Sequence, residues 1–253
     1  MKNKKIEISI IITYYNLGQY IDEAIKSCFS QTFANFEIIL VNDGSNEKKS
    51  LEKLSELKTK YKDKIQFIDQ ENQGVAKARN KAIQKASGKF ICCLDSDDKL
   101  AVDYLQKTYQ ILNNNSNLAF VTSFFQTFGQ EQKLIKPYDY NLPRLLAGNQ
   151  IHVSSIFRKN LWQKVAGYDE KLSGYQDWQL WIKLTCLGYK WEVVKEPLFF
   201  YRIRRLSMLK NSDKKRFSLL IKIILANHAA YLKNFYKVIY YWIRIILKKF
   251  CKD

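Results

Sequence analysis

The sequence predicts an α/β protein with a mostly parallel central sheet flanked by helices, followed by a basic amphipathic helical tail. Three observations lead there. Short apolar, β-branched runs alternate with stretches whose apolar residues recur at helical spacing, the pattern of parallel sheets covered by helices on both faces. The runs end in clusters of polar side chains, at the strand ends where open α/β sheets bind ligands. From residue 210 onward the chain has almost no acids yet stays rich in lysine, isoleucine and aromatic residues.

The elements follow in order. Ile8–Ile12 is a β-branched strand. Tyr20, Ile21, Ala24, Ile25 and Cys28 mark one face of a helix. Glu37–Val41 is a second strand, and Leu51, Leu54 and Leu57 mark a helix set among lysines. Ile65–Ile68 is a third strand. Val75, Ala78, Ala82, Ile83 and Ala86 mark the next helix, and Gly88 is expected to end it in the position just past the C-cap. Phe90–Leu94 is the fourth strand and runs into Asp95, Asp97 and Asp98, three acids within four positions. Ile151–Ser155, which includes His152, reads as a further strand. Trp178, Trp181, Leu184 and Leu187 recur at helical spacing behind Asp177, with the tryptophans as core. His152 is read first as a structural residue and His228 as tail surface.

Composition sets limits. The 253 residues carry a formal net charge of +18, which favours anionic partners such as nucleotides, nucleic acid or acidic lipids. Five cysteines form neither a disulfide framework nor a metal-ligand spacing, so reduced thiols are expected. Three prolines and nine glycines leave little for a long linker. Residues 1–209 therefore read as one domain, with a nucleotide-binding half (1–100) and an acceptor-binding half (101–209), and 210–253 as the tail. No apolar run approaches the ~20 residues that span a bilayer, and the basic start lacks the apolar core of a signal peptide. A cytoplasmic location is expected, peripheral to the inner face of the cell membrane.

Neither G-x-G-x-x-G nor G-x-x-x-x-G-K-[ST] occurs, which disfavours dinucleotide dehydrogenases and P-loop NTPases. Three strand tips carry the polar chemistry instead: Thr13-Tyr14-Tyr15-Asn16, Asn42-Asp43-Gly44-Ser45 and Asp95-Ser96-Asp97-Asp98. Crowded carboxylates repel one another. A divalent cation shared with phosphates would relieve them, since hard ions take oxygen ligands, with Lys77 and Arg79 as further cations. Singly, each tip has a plainer reading. The acids could cap a helix, Asp-Gly could be only a turn, and Tyr15 a half-buried aromatic.

The tips, together with Asn72-Gln73-Gly74-Val75-Ala76-Lys77-Ala78-Arg79-Asn80 and Gly174-Tyr175-Gln176-Asp177-Trp178-Gln179-Leu180-Trp181, resemble the inverting family 2 glycosyltransferases over roughly residues 6–208. The resemblance implies the GT-A fold and a transferase using a nucleotide-diphosphate sugar, with UDP as the expected nucleotide. By resemblance, Thr13 and Tyr15 line the nucleobase pocket, Asp43 hydrogen-bonds the base, Arg79 approaches the diphosphate and Asp95 contacts the ribose. Asp97 would ligate Mn²⁺ or Mg²⁺, with Asp98 the third acid of the motif. Asp177 would be the base that deprotonates an acceptor hydroxyl on a glycan or lipid-linked molecule in surface polysaccharide synthesis. From the residues alone, Asp177 could equally cap its helix.

Two positions depart from the family. Gln176 stands where a glutamate precedes the base. Arg204, in Tyr201-Arg202-Ile203-Arg204, replaces a histidine that can bind the metal. Arginine cannot ligate a metal but holds phosphate oxygens, so Arg204 is expected on the diphosphate. A third, slighter departure is Thr13, at a position where proline is frequent.

The tail holds 11 Lys/Arg against two Asp. As one helix it would set Lys233, Lys237, Arg244 and Lys248 on a stripe opposite Phe235, Ile239, Trp242, Ile246 and Phe250. That pattern suits an anionic membrane surface, or a helix packed on the domain or on a second copy. No nucleic acid is expected as a partner, because no zinc or helix-turn-helix pattern accompanies the charge. The contrasting class is a non-catalytic nucleotide- or glycan-binding module of the same fold. A nucleotidyltransferase would want a Gly- and basic-rich loop after the first strand, which Thr13-Tyr14-Tyr15-Asn16 is not.

Overall fold

The computed structural model describes residues 5–204 and 216–250, with tail side chains from 217 to 247. Lys210, Lys214 and Lys215, the 209/210 boundary, Cys251, and the side chains of Lys248 and Phe250 lie outside the described residues. The first half alternates as expected: β1 (Ile8–Tyr14), α1 (Ile21–Phe29), β2 (Phe36–Asp43), α2 (Lys48–Lys60), β3 (Ile65–Gln70), α3 (Val75–Lys85) and β4 (Phe90–Asp95). The second half holds β5 (Lys99–Leu100), α4 (Tyr104–Asn114), β6 (Leu118–Gly129), β7 (Leu134–Ile135), α5 (Leu142–Ala147), β8 (Ile156–Arg158), α6 (Lys159–Lys164), α7 (Gln176–Cys186) and β9 (Lys190–Ile203).

The sheet runs β3-β2-β1-β4-β8-β6-β9-β5, with β7 on β6. β3, β2, β1 and β4 pair in parallel, as does β6 with β9. The short β8 enters antiparallel to both β4 and β6 and joins the halves. Strand side chains alternate between faces. On β1 and β4, Ile11, Ile91 and Cys93 join a core with α3, α5 and α7, while Ile10, Ile12, Cys92 and Leu94 join a second core with α1, α2 and α4. Burial on both faces explains why these strands are continuous apolar runs. Cys28, Cys92 and Cys93 are buried free thiols, and Cys186 is an exposed one.

Three local expectations change. Gly88 does not end α3, because the C-cap is Ala86 in extended conformation (φ −66°, ψ 139°). Gly88 is instead required by close approach, since a Cβ there would lie 2.5 Å from the Ser9 amide nitrogen. Residues 151–155 form a turn before β8 rather than a strand. His152 is buried in that turn against Phe199, with ring centroids 4.4 Å apart. Trp178, Trp181 and Leu184 are core, but Leu187 is exposed.

The tail is three helices, α8 (Arg216–Ala226), α9 (His228–Lys233) and α10 (Phe235–Phe250), rather than one. They lie on the second half of the domain. Leu219, Ile223, Tyr231 and Val238 are buried in the core that also holds α5 and α7. The Tyr231 hydroxyl donates to the Leu146 carbonyl (2.9 Å), and the Trp242 indole donates to the Ala147 carbonyl (3.1 Å). Val238 and Trp242 therefore face the protein. The expected apolar stripe through Phe235, Ile239, Trp242, Ile246 and Phe250 meets that packed face at Trp242, whereas Phe235 and Ile246 are exposed.

Candidate active site

Three adjacent parallel strands carry their tips to one rim. Thr13 on β1 is the register partner of Asp95 on β4, and Tyr14 that of Asn42 on β2. The Thr13 hydroxyl donates to Asp95 Oδ1 (2.9 Å), and Arg79 Nη2 on α3 donates to the same oxygen (2.7 Å). Arg79 is buried, lies 5.5 Å from the Tyr168 ring centroid, and has no hydrogen-bond partner for Nε among the described residues. It holds Asp95 rather than standing free at the rim. Asp43 is buried and organises the β3–α3 turn. Its Oδ1 accepts from Gln70 Nε2 (2.8 Å) and the Gln73 amide (2.9 Å), and its Oδ2 from the Gly74 amide (3.0 Å). Tyr15, just past the end of β1, is 41% exposed, and Lys77 is exposed. Gly44 has φ +69°, and a Cβ there would lie 2.4 Å from the Asn72 amide nitrogen, so glycine fits this tip.

The acids after β4 do not cap a helix. The Asp98 amide donates to the Asp95 carbonyl (3.0 Å), closing a turn into β5, and α4 begins only at Tyr104. Arg204 Nε donates to Asp97 Oδ2 (2.5 Å). Arg202 clamps the same turn, with Nε on the Asp97 carbonyl and its amide on Asp98 Oδ1, both at 2.8 Å. Burial, then repulsion from Asp95, pushes the Asp97 carboxyl up, against the pull of Arg204. Burial followed by Asp97 and Asp95 pushes Asp98 well above the usual carboxylate range. Asp98 Oδ2 is buried with no hydrogen-bond partner among the described residues.

These oxygens fit a hard divalent cation that takes its remaining ligands from phosphate and water. Among the described residues, no three His, Cys, Asp or Glu side chains are grouped as a cage of their own. Arg204 occupies the position where a histidine would offer nitrogen. It bonds to the Asp97 carboxylate, so the two departures from the family pattern meet different fates. Gln176 is buried and donates from Nε2 to the Leu172 carbonyl (2.9 Å), away from acid chemistry.

Asp177 lies in the first turn of α7, half-buried. Its helix is capped by Tyr175 in left-handed conformation (φ 57°, ψ 25°), so the cap is not Asp177 itself. Asn149 Nδ2 donates to Asp177 Oδ2 (3.3 Å). Burial raises its pKa, opposed by the Trp178 amide and Arg79 and reinforced by Asp95. The Arg79 and Asp95 influences tie Asp177 electrostatically to the strand tips. Burial raises the Tyr201 phenol on β9, with the charges of Asp98, Asp95, Asp97 and Asp177 adding to the shift.

Asn149, Tyr168, Tyr201 and Arg202 are site residues to which sequence reasoning assigned no role. Tyr201 and Arg202 lay within a quoted segment, whereas nothing local marks Asn149 or Tyr168. His152 stays in the core, where burial lowers its pKa to about 3 and keeps it neutral.

Residues 9–174 match the family described as glycosyl transferase family 2. An uncharacterized glycosyltransferase of Methanocaldococcus jannaschii is 30% identical over 244 residues, covering 93% of this chain and 83% of the relative. The structure of S. aureus TarS 1–349 in complex with UDP-GlcNAc superposes with a TM-score of 0.67 at 21% identity, over 81% of this chain and 61% of that one. The mannosyltransferase PcManGT from Pyrobaculum calidifontis, in complex with GDP-Man and Mn²⁺, gives 0.66 at 15% identity, over 93% of this chain and 73% of that one. By these matches the chain belongs to glycosyl transferase family 2 and has the GT-A fold.

Proposed function

We propose that the protein is a metal-dependent, inverting hexosyltransferase. It moves a sugar from a nucleotide-diphosphate donor, with UDP as the nucleotide, to a hydroxyl of a glycan or lipid-linked acceptor in surface polysaccharide synthesis, at the inner face of the cell membrane. The convergence of Thr13, Arg79, Asp95, Asp97 and Asp177 about one rim carries the proposal. Thr13, Tyr15 and Asp43 form the base side of the donor site. Asp95, fixed by Thr13 and Arg79, presents a carboxylate to the ribose. Asp97, with Asp98 behind it, would hold Mn²⁺ or Mg²⁺ together with the diphosphate. When bound, the ion supplies Lewis-acid stabilisation of the leaving diphosphate. Arg204 would meet a phosphate oxygen by turning from Asp97, which the ion's charge would favour.

Asp177 takes the acceptor proton. A carboxyl raised by burial is a better base near neutral pH than an exposed one, and Asn149 fixes which oxygen faces the acceptor. Anomeric outcome tests the proposal. NMR of the product formed from an α-linked UDP-sugar should show a β-linkage. A retained α-linkage would refute the base role of Asp177, and no turnover with any UDP-, GDP-, CDP- or dTDP-sugar, across glycan and lipid-linked acceptors, would favour the non-catalytic module.

A further inference from the structure

α10 is apolar on two opposite faces. Val238 and Trp242 face the protein, and Ile245 Cδ1 reaches to 3.6 Å from where a Gly148 Cβ would stand. Tyr236, Tyr240, Ile243 and Leu247 fall about 180° away at 100° per residue. They are exposed by 85%, 53%, 51% and 55%. An apolar helix face is ordinarily buried or in lipid, yet this outer stripe is exposed, with Tyr236 and Tyr240 at the edge of a cleft shared with Tyr140 and Pro143. Its flank is basic: Lys237 and Arg244 are exposed, Arg244 leans on Tyr240, and no acid occurs between residues 214 and 252. α8 adds exposed Phe217 and Leu225 beside Lys222, and α9 adds Leu232 beside Lys233. Tyrosines and aliphatics edged by lysine and arginine are the composition of a helix lying in an anionic lipid interface. No described helix is long and apolar enough to cross a membrane.

The helix is also joined to the site. Trp242 bonds to Ala147, Ile245 packs at Gly148, and the next residue, Asn149, donates to Asp177. At the other end of α5, Asn141 Nδ2 donates to the Tyr241 hydroxyl (2.8 Å) beside a cleft of about 670 Å³ lined by Tyr140, Pro143, Tyr236, Lys237 and Tyr240. α5 is six residues long, roughly 9 Å at 1.5 Å per residue, so the cleft opens about that far from the loop whose Asn149 contacts Asp177.

We infer that the outer stripe of α10 docks on an anionic bilayer and that the acceptor is a lipid-linked molecule delivered along the cleft to Asp177. This deepens the transferase reading and rests on it for the identity of the acceptor, whereas the docking itself does not.

Vesicle flotation of the full chain separates the two. Wild type should float with phosphatidylcholine/phosphatidylglycerol vesicles, lose that binding at high salt, and stay in solution with phosphatidylcholine alone. Lys237→Ala/Arg244→Ala should weaken partitioning roughly thirtyfold, as two basic residues near an anionic surface would give. Tyr236→Asp/Tyr240→Asp should abolish it, with the fold retained by circular dichroism and UDP affinity unchanged, because neither ring belongs to the donor rim. Wild type failing to float, or variants floating as well as wild type, would overturn the docking. So would a dimer in sedimentation that dissociates in the aspartate variant while no form binds vesicles. Flotation intact alongside absent binding of UDP, GDP, CDP and dTDP would sink the transferase reading alone. Equal turnover on a lipid-linked acceptor and on its soluble headgroup, with vesicles present, would overturn the acceptor assignment.

Discussion

Arg79 and Asp95 form the pair on which the donor rim is built, and their removal has a calculable cost. The Arg79 side chain is 5% exposed and that of Asp95 31%, with Nη2 to Oδ1 at 2.7 Å. Arg79→Met would leave Asp95 facing Asp97 and Asp98 with only the Thr13 hydroxyl on its inner oxygen. Breaking a buried pair from one side costs about 3–5 kcal/mol, and the partial solvation of Asp95 puts this case near 3. Asp95→Asn strands the buried guanidinium and should cost about as much. The double variant removes both charges and should lie within about 1 kcal/mol of wild type, since buried pairs exchange for neutral groups with little net change. For a chain of this size about 3 kcal/mol lowers Tm by roughly 6–12 °C. Urea and thermal melts of the four proteins at pH 7 make the cycle. If Arg79→Met costs under about 1 kcal/mol, or the double variant loses the sum of the singles, the pair is not the electrostatic unit described. Calorimetry on the double variant adds a second readout, because stability restored without UDP affinity would place Arg79 or Asp95 on the nucleotide as well.

Three further predictions rest on single residues. Asp177→Asn should lower kcat by about 10²–10⁴ with donor affinity intact. In wild type, kcat/KM should fall as pH drops through the raised Asp177 pKa, because the base is lost on protonation; a flat acid limb would contradict the assignment. Asp98→Asn should become relatively more stable than wild type as pH rises. The folded-state pKa of Asp98 is raised, so the native state binds the extra proton between the unfolded and folded pKa values, and wild type loses stability as pH rises through that window; parallel pH–stability curves for the two proteins would refute it. Gly88→Ala, whose new Cβ would meet the Ser9 amide at 2.5 Å, should cost at least about 1–3 kcal/mol in urea melts, while a glycine needed only as a helix stop would tolerate alanine far better.

The sequence made the donor half readable because its elements obey local rules. Strands buried on both faces show as unbroken β-branched runs, and polar tips stand out at their ends. Thr13, Asp43, Asp95 and Asp97 were legible for that reason. The acceptor side was not. Asn149 reaches Asp177 across 28 positions, and Tyr201 comes near the acids only because β9 pairs with β5, the short strand that follows them. Neither leaves a periodic trace. The Arg79–Asp95 contact joins α3 to β4 across sixteen positions, and such pairings are invisible to spacing. The same holds for Arg204 and Asp97, 107 positions apart. Gly88 misled because a glycine near a helix end usually signals a cap, and here backbone proximity set the requirement. For the tail, helical periodicity reports faces but not which one the protein covers, so packing on the domain and a membrane surface were equally compatible with it.

The central claim is a nucleotide-diphosphate site completed by a cation at Asp97. Calorimetric titration of wild type and Asp97→Asn with UDP, GDP, CDP and dTDP, with and without Mn²⁺, tests it most directly. Tight, Mn²⁺-dependent binding of UDP that Asp97→Asn abolishes is the predicted result. Binding of no nucleotide, or binding indifferent to both Mn²⁺ and the substitution, would contradict it.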